Sequence, residues 1–148
     1  MKKSIQMSAL VLMTVLSAGA FAKDAKTAPA TLSIDSKTEV AYTCQIQENG
    51  KKRNQNITVM YGMKNGEPIV AQAKVNGVIS TGLFRVADPL LNRFVSEGAD
   101  GTMWTTLPAK ASEVRNVDGG TLSVQRNGAN AIIVEKCALD KAATAKLK

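Results

Sequence analysis

Ile57-Thr58-Val59-Met60-Tyr61 and Ile69-Val70-Ala71-Gln72-Ala73-Lys74-Val75 are two alternating runs, separated by Asn65-Gly66 and followed by Asn76-Gly77. Ile57, Val59 and Tyr61 fall on one side of a strand, as do Ile69, Ala71, Ala73 and Val75, so each run reads as a strand with one buried face. Asn-Gly between such runs is a strong hairpin signal, because both residues tolerate the positive φ of a tight turn.

The same grammar extends in both directions. Upstream, Val40, Tyr42 and Cys44 alternate with Ala41, Thr43 and Gln45, and Asn49-Gly50 forms a turn. Downstream, strands are expected over 80–85, 92–96, 102–107, 121–125 and 131–137. Turns are expected at Asp100-Gly101, Asp118-Gly119-Gly120 and Asn127-Gly128, with a short helical turn at Asp88-Pro89-Leu90-Leu91. About eight short strands at this spacing suit an antiparallel sandwich or small barrel, not a βαβ fold. Tyr42, Tyr61, Phe84, Phe94 and Trp104 sit at strand positions and are expected in the core.

The first 22 residues read as an export signal. Lys2 and Lys3 precede an apolar run from Met7 to Leu16, and Ala20-Phe21-Ala22 is a small-x-small cleavage site. That run is short of the roughly 20 residues a spanning helix needs, and no later stretch approaches it. The expected mature product is periplasmic, or secreted or surface-exposed at the outer membrane, with no transmembrane segment. Residues 23–37 read as a flexible leader, 38–140 as the folded domain and 141–148 as a basic, solvated tail. In an exported chain the only two cysteines, Cys44 and Cys137, read as one disulfide joining the first strand to the last.

Composition narrows the chemistry. The chain of 148 residues has no histidine, which removes His-based triads, His metal sites and a near-neutral imidazole acid or base. With both cysteines paired, thiol nucleophiles go too. Carboxylates are scattered, and no phosphate loop or metal-ligand cluster is legible, so neither an enzyme nor a cofactor is expected. Asn56-Ile57-Thr58 matches a glycosylation sequon by chance, inside a strand. The chain carries 19 Lys and Arg against 12 Asp and Glu; without Lys2 and Lys3 the balance is 17 to 12, about +5.

Two segments are candidate contact sites. Lys51-Lys52-Arg53, after Asn49-Gly50, is the densest basic patch, readable as a binding site for acidic surfaces or as a solvated hairpin tip. Nucleic acid is not an expected partner, since the compartment is wrong and interleaved aromatics are missing. Residues 107–120 form the longest connection in the fold, and Lys110, Ser112 and Arg115 offer donors to an acidic cleft.

Val40-Ala-Tyr-Thr-Cys44, Ile57-Thr-Val-Met-Tyr61-Gly, Ala71-Gln-Ala-Lys-Val-Asn76-Gly77 and Ile133-Val-Glu-Lys-Cys137, in this order, resemble the family of the neisserial adhesin complex protein. The resemblance spans about residues 38–140 and points toward the inhibitors of c-type lysozyme. It implies a small antiparallel β-barrel of about eight strands closed by one disulfide. It also implies a protein that blocks host c-type lysozyme by presenting a loop to its acidic cleft, or that binds host cells or anionic glycans as an adhesin through its basic faces. The family loop carries a glycine four residues before an arginine. Arg115 aligns with that arginine, and Ala111 stands where the glycine would be. The implied lysozyme-contact residues are Lys110, Ala111, Ser112 and Arg115, with Lys51, Lys52 and Arg53 as the alternative patch. The Ser-Gly-x-x-Tyr signature of the broader inhibitor family is absent. C-type lysozymes are generally basic, so a chain near +5 gains no long-range attraction to them.

Overall fold

The computed structural model describes residues 32–147. The proposed export signal and most of the proposed leader therefore lie outside the described residues. Nine strands form one antiparallel sheet: β1 (Ser36–Glu48), β2 (Lys51–Lys64), β3 (Glu67–Val75), β4 (Val78–Ile79), β5 (Leu83–Val86), β6 (Asn92–Ser96), β7 (Met103–Thr106), β8 (Gly119–Arg126) and β9 (Ala129–Leu139). The neighbour order is β2-β1-β9-β8-β7-β6-β5-β3-β4, and β2 also pairs with β3. Eight strands thus close a ring, with the two-residue β4 beside β3. The barrel expected from the resemblance is what the chain forms.

Turn chemistry and register carry the closure. Asn49-Gly50, Asn65-Gly66, Asn76-Gly77 and Asn127-Gly128 all have positive φ at both positions, the backbone a two-residue hairpin needs to follow strand twist. The β1–β2 ladder then runs unbroken from Ser36↔Met63 to Glu48↔Lys51. It puts Val40, Tyr42 and Cys44 on the same face as Ile57, Val59 and Tyr61, and all six are buried.

A ring of eight strands has an interior just wide enough to be filled by side chains. Here Tyr42, Tyr61, Phe94 and Trp104, all fully buried, fill it with Leu83, Val114 and Val134. Tyr42 and Trp104 are tilted with centroids 5.2 Å apart, and Tyr61 and Phe94 likewise at 5.8 Å, geometries each worth about 0.5–1.5 kcal/mol beyond burial. Trp104 Nε1 donates to the Tyr61 hydroxyl at 2.8 Å, and the Tyr61 and Tyr42 hydroxyls bond at 2.7 Å. The three polar atoms that the aromatics bring into the core satisfy one another. Phe84, expected in the core, is only half-buried.

Cys44 and Cys137 form the expected disulfide, across neighbouring strands β1 and β9 and 93 positions apart in sequence. On the loop-entropy account such a bridge contributes roughly 4–5 kcal/mol. The β1–β9 register shifts between Thr43 and Gln45. Beside that shift Lys136 takes φ +52°, as at a bulge that re-aims the next side chain inward.

Several local expectations change. Gly119 and Gly120 do not form a turn; they begin β8. A Cβ on Gly119 would lie 2.6 Å from the Trp104 ring, and one on Gly120 would lie 2.4 Å from Thr105 Oγ1, so both glycines serve close strand packing. The strand expected over 80–85 begins only at Leu83, as β5; residues 80–82 separate it from β4, and the Ser80 N–H donates to the Ala73 carbonyl there. Residues 88–91 are not a helical turn. Asp88 Oδ1 accepts from the Leu90 and Leu91 N–H groups. These bonds, the Leu90 one foremost, together with nearby Arg93, hold its carboxyl below the ordinary range. β1 starts at Ser36, within the stretch read as leader. The stretch read as a solvated tail contains helix α1 (Lys141–Ala145), N-capped by Asp140 accepting from the Ala143 N–H, with Thr144 only 3% exposed.

Burial pushes the Tyr42 hydroxyl far above its ordinary value of 10.0, partly countered by its bond to Tyr61. The Tyr61 hydroxyl is raised as well, by burial first. In the unfolded chain both ionise near 10, so their contribution is intact below that pH and is lost above it. Urea midpoints measured between about pH 8 and 12 should fall beyond about pH 10. Tyr42→Phe should make that fall shallower; an equally steep fall would assign it to other groups.

Candidate functional site

The connection between β7 and β8, residues 107–118, is a rigid projection at one end of the barrel. Its base is closed by the Leu107 N–H donating to the Asp118 carbonyl at 3.1 Å. Buried Asn92 donates through Nδ2 to the Ala109 carbonyl at 3.0 Å, and the Ala111 N–H donates to the Gly66 carbonyl at 2.9 Å. The Glu113 N–H donates to the Lys110 carbonyl, while Glu113 Oε2 accepts from the Lys110 N–H. Val114 opens a short 3-10 turn over Val114–Asn116 and is fully buried in the core.

This framework sorts the four residues expected to contact lysozyme. Lys110 and Ser112 are exposed at the tip, and Ala111 is half-buried between them. Ala111 does not take positive φ, so this loop reaches its conformation without the glycine of the family pattern. Arg115 faces inward instead. Its Nη1 donates to the Glu39 carbonyl at 2.9 Å and its Nη2 to the Thr144 carbonyl at 2.6 Å. Thr144 Oγ1 in turn accepts from the Ala41 N–H at 2.8 Å. β9 ends at Leu139, so the lower edge of β1 runs beyond its partner, and Arg115 and α1 cap the backbone groups exposed there.

Sequence reasoning missed Glu67 and Arg85, which adjoin the loop. Glu67 lies between Arg85 Nη1 at 3.3 Å and Lys110 Nζ at 3.8 Å. With Asn92, Pro108 and Glu113 these residues line a shallow depression of about 330 Å³. No local pattern links positions 67, 85 and 110; only the ring brings them together. The α1 latch had a legible signal, since Asp140 directly before the helix formers Lys141, Ala142 and Ala143 is an N-cap pattern.

The basic patch lies elsewhere. Glu39, beside Arg115, lies near the start of β1, and Glu48, paired with Lys51, ends it, so the two candidate sites occupy opposite ends of the barrel. Lys51, Lys52 and Arg53 are all exposed. Arg53 Nη2 is engaged by Glu48 Oε1 at 2.7 Å with both side chains more than half exposed, a pairing worth about 1 kcal/mol or less. Lys51 and Lys52 have no ion pair among the described residues.

A family model, Nm-ACP, the ACP-like domain of the neisserial adhesin complex protein, matches residues 38–139. The chain belongs to this family. The match runs through β1 to β9 and stops before α1, so the ACP-like domain is the barrel itself and the helix that engages Arg115 falls outside it. Comparison with curated proteins gives no match. Among the described residues no group of three or more His, Cys, Asp or Glu could hold a metal ion, and no helix is long and apolar enough to cross a membrane.

Removing Arg115 uncaps two carbonyls and releases α1. Arg115→Ala should therefore cost about 1–3 kcal/mol, visible as a lower thermal midpoint, whereas Lys110→Ala should leave the midpoint nearly unchanged. Equal midpoints for the two variants would show that the latch does not contribute.

Proposed function

We propose that this ACP-like domain inhibits host c-type lysozyme through the tip of its 107–118 loop. The observation that carries the reading is the loop's preorganisation. Its base, its Ala109 and Ala111 backbone groups and Val114 are all fixed to the barrel, while Lys110 and Ser112 are left exposed. A loop already ordered loses little freedom on binding, which is what lets a small surface hold an enzyme cleft. A cleft that cuts glycosidic bonds with two carboxylates invites a cation and a hydroxyl. Lys110 and Ser112 supply those groups, and Arg115 acts as a positioning residue behind them.

Long-range charge does not assist this encounter, so the reading relies on desolvated contacts inside the cleft, where screening is weak. Association should be slower than for an acidic inhibitor. The proposed site of action is the periplasm or the outer-membrane surface, where the enzyme arrives. In a cell-wall lysis assay the mature protein should protect at micromolar concentration, and a Lys110→Ala/Ser112→Ala double variant should lose about tenfold or more in potency. Undiminished lysis with the parent protein would reject the proposal.

The hairpin end supports a second reading, adhesion to host cells. Lys51 and Lys52 are exposed cations at the opposite end from the loop, so one molecule can engage both partners. Cell binding should fall steeply with added salt and drop in a Lys51→Glu/Lys52→Glu variant. Salt-independent binding would remove this reading.

A further inference from the structure

A crevice of about 280 Å³ opens on the outer wall of the barrel, between the β1–β2–β3 face and α1, and it contains no residue of the 107–118 loop. Its position follows from register. Thr58 and Lys74 are direct cross-strand partners on the outward face, Thr43 is the partner of Asn56, and Asn76 ends β3 in the adjacent turn. Asp140 and α1 close the other side.

The polar groups in this crevice are unevenly satisfied. Asn56 Oδ1 accepts from Thr43, and Asn76 Oδ1 accepts from Gln55, so both amides have their oxygens bonded and their NH2 groups left over. The Thr58 hydroxyl and the Lys74 ammonium have no side-chain partner among the described residues. Asp140 accepts from the Ala143 N–H and competes with Asn56 Oδ1, at 3.5 Å against 3.2 Å, for the single Thr43 hydroxyl hydrogen; it makes no ion pair with Lys74 although both line the same space. Ala143 and Leu147 supply an apolar wall. Four residues that carry donors, one of them a cation, therefore line a small volume together with one carboxylate.

We propose that this crevice binds a carboxylate-bearing N-acetylated sugar. Lys74 takes the carboxylate, the Asn56 and Asn76 amides and the Thr58 hydroxyl donate to ring hydroxyls or the acetamido carbonyl, and the acetamido methyl rests on Ala143 and Leu147. Asp140 accepts from a sugar hydroxyl, and the sugar's carboxylate sits on the Lys74 side of the crevice, away from Asp140. The volume suits one sugar residue. Two sources share this chemistry: the sialic acid of host glycans and the muramic acid of peptidoglycan. The site is distinct from the loop tip and from Lys51 and Lys52, so failed protection in a lysis assay leaves it standing.

Titration of the mature protein with N-acetylneuraminic acid and with N-acetylmuramic acid, followed by amide chemical shifts, tests it. Saturable millimolar shifts at Asn56, Thr58, Asn76 and Asp140 with at least one acid are expected, and the acid that binds identifies the source. Lys74→Ala should weaken binding by about tenfold with an unchanged thermal midpoint, and Lys52→Ala should leave it unaltered. Absence of saturable shifts with both acids would overturn the proposal. So would equal binding of N-acetylglucosamine, or unchanged affinity in Lys74→Ala.

Discussion

The Tyr61 hydroxyl is the point on which the rest of the barrel depends. A phenol oxygen at the centre of an apolar core costs several kcal/mol unless it is hydrogen-bonded. Here it takes the Trp104 indole N–H and shares a hydrogen with Tyr42, so β1, β2 and β7 are fixed together through a satisfied polar group. The consequences run outward. The Trp104 ring occupies the space a side chain at 119 would need, which makes glycine the residue that can begin β8. The start of β8 sets one foot of the 107–118 loop, and Val114 returns to the same core from the loop's far side. The exposed tip is thus positioned by packing at the barrel's centre.

Much of the fold was legible because its signals are local. Period-two runs and Asn-Gly pairs each act within a few residues, and every Asn-Gly hairpin formed where it was read. The errors arise where distant residues decide. Gly119-Gly120 looks like a turn until Trp104 is placed against it. The break between β4 and β5 depends on β3, and the alanine- and lysine-rich tail becomes ordered only because the bare edge of β1 offers Thr144 and Arg115 something to cap. The length of the 107–118 connection was legible, but its anchoring to the barrel and the direction of Arg115 were not. An arginine next to a lysine and a serine looks like a contact residue when the carbonyls of Glu39 and Thr144 are out of sight. Glu67 and Arg85 carry no sequence signal at all for the same reason.

The charge distribution gives the small barrel two ends of different character. At the loop end, cations are interleaved with Glu67, Glu113 and Asp88, so Lys110 and Arg85 stand in a mixed field. At the hairpin end, Lys51 and Lys52 are exposed and make no ion pair among the described residues, and Glu48 is engaged by Arg53. Short-range complementarity therefore favours the first end and long-range attraction the second. On the proposed reading the first end would meet a rigid cleft and the second a diffuse acidic surface.

The disulfide has a mechanical meaning as well as a thermodynamic one. Because Cys44 and Cys137 join the outermost strands in sequence, tension applied from outside the barrel reaches a covalent bridge after crossing part of β1 on one side, and α1 and the end of β9 on the other. The positions between the two cysteines lie outside that load path. A molecule pulled by its termini would stretch at its ends while β2 to β8, the loop and the hairpin tips stay unloaded. The loop and the hairpin tips are thus held at rest by one covalent bond.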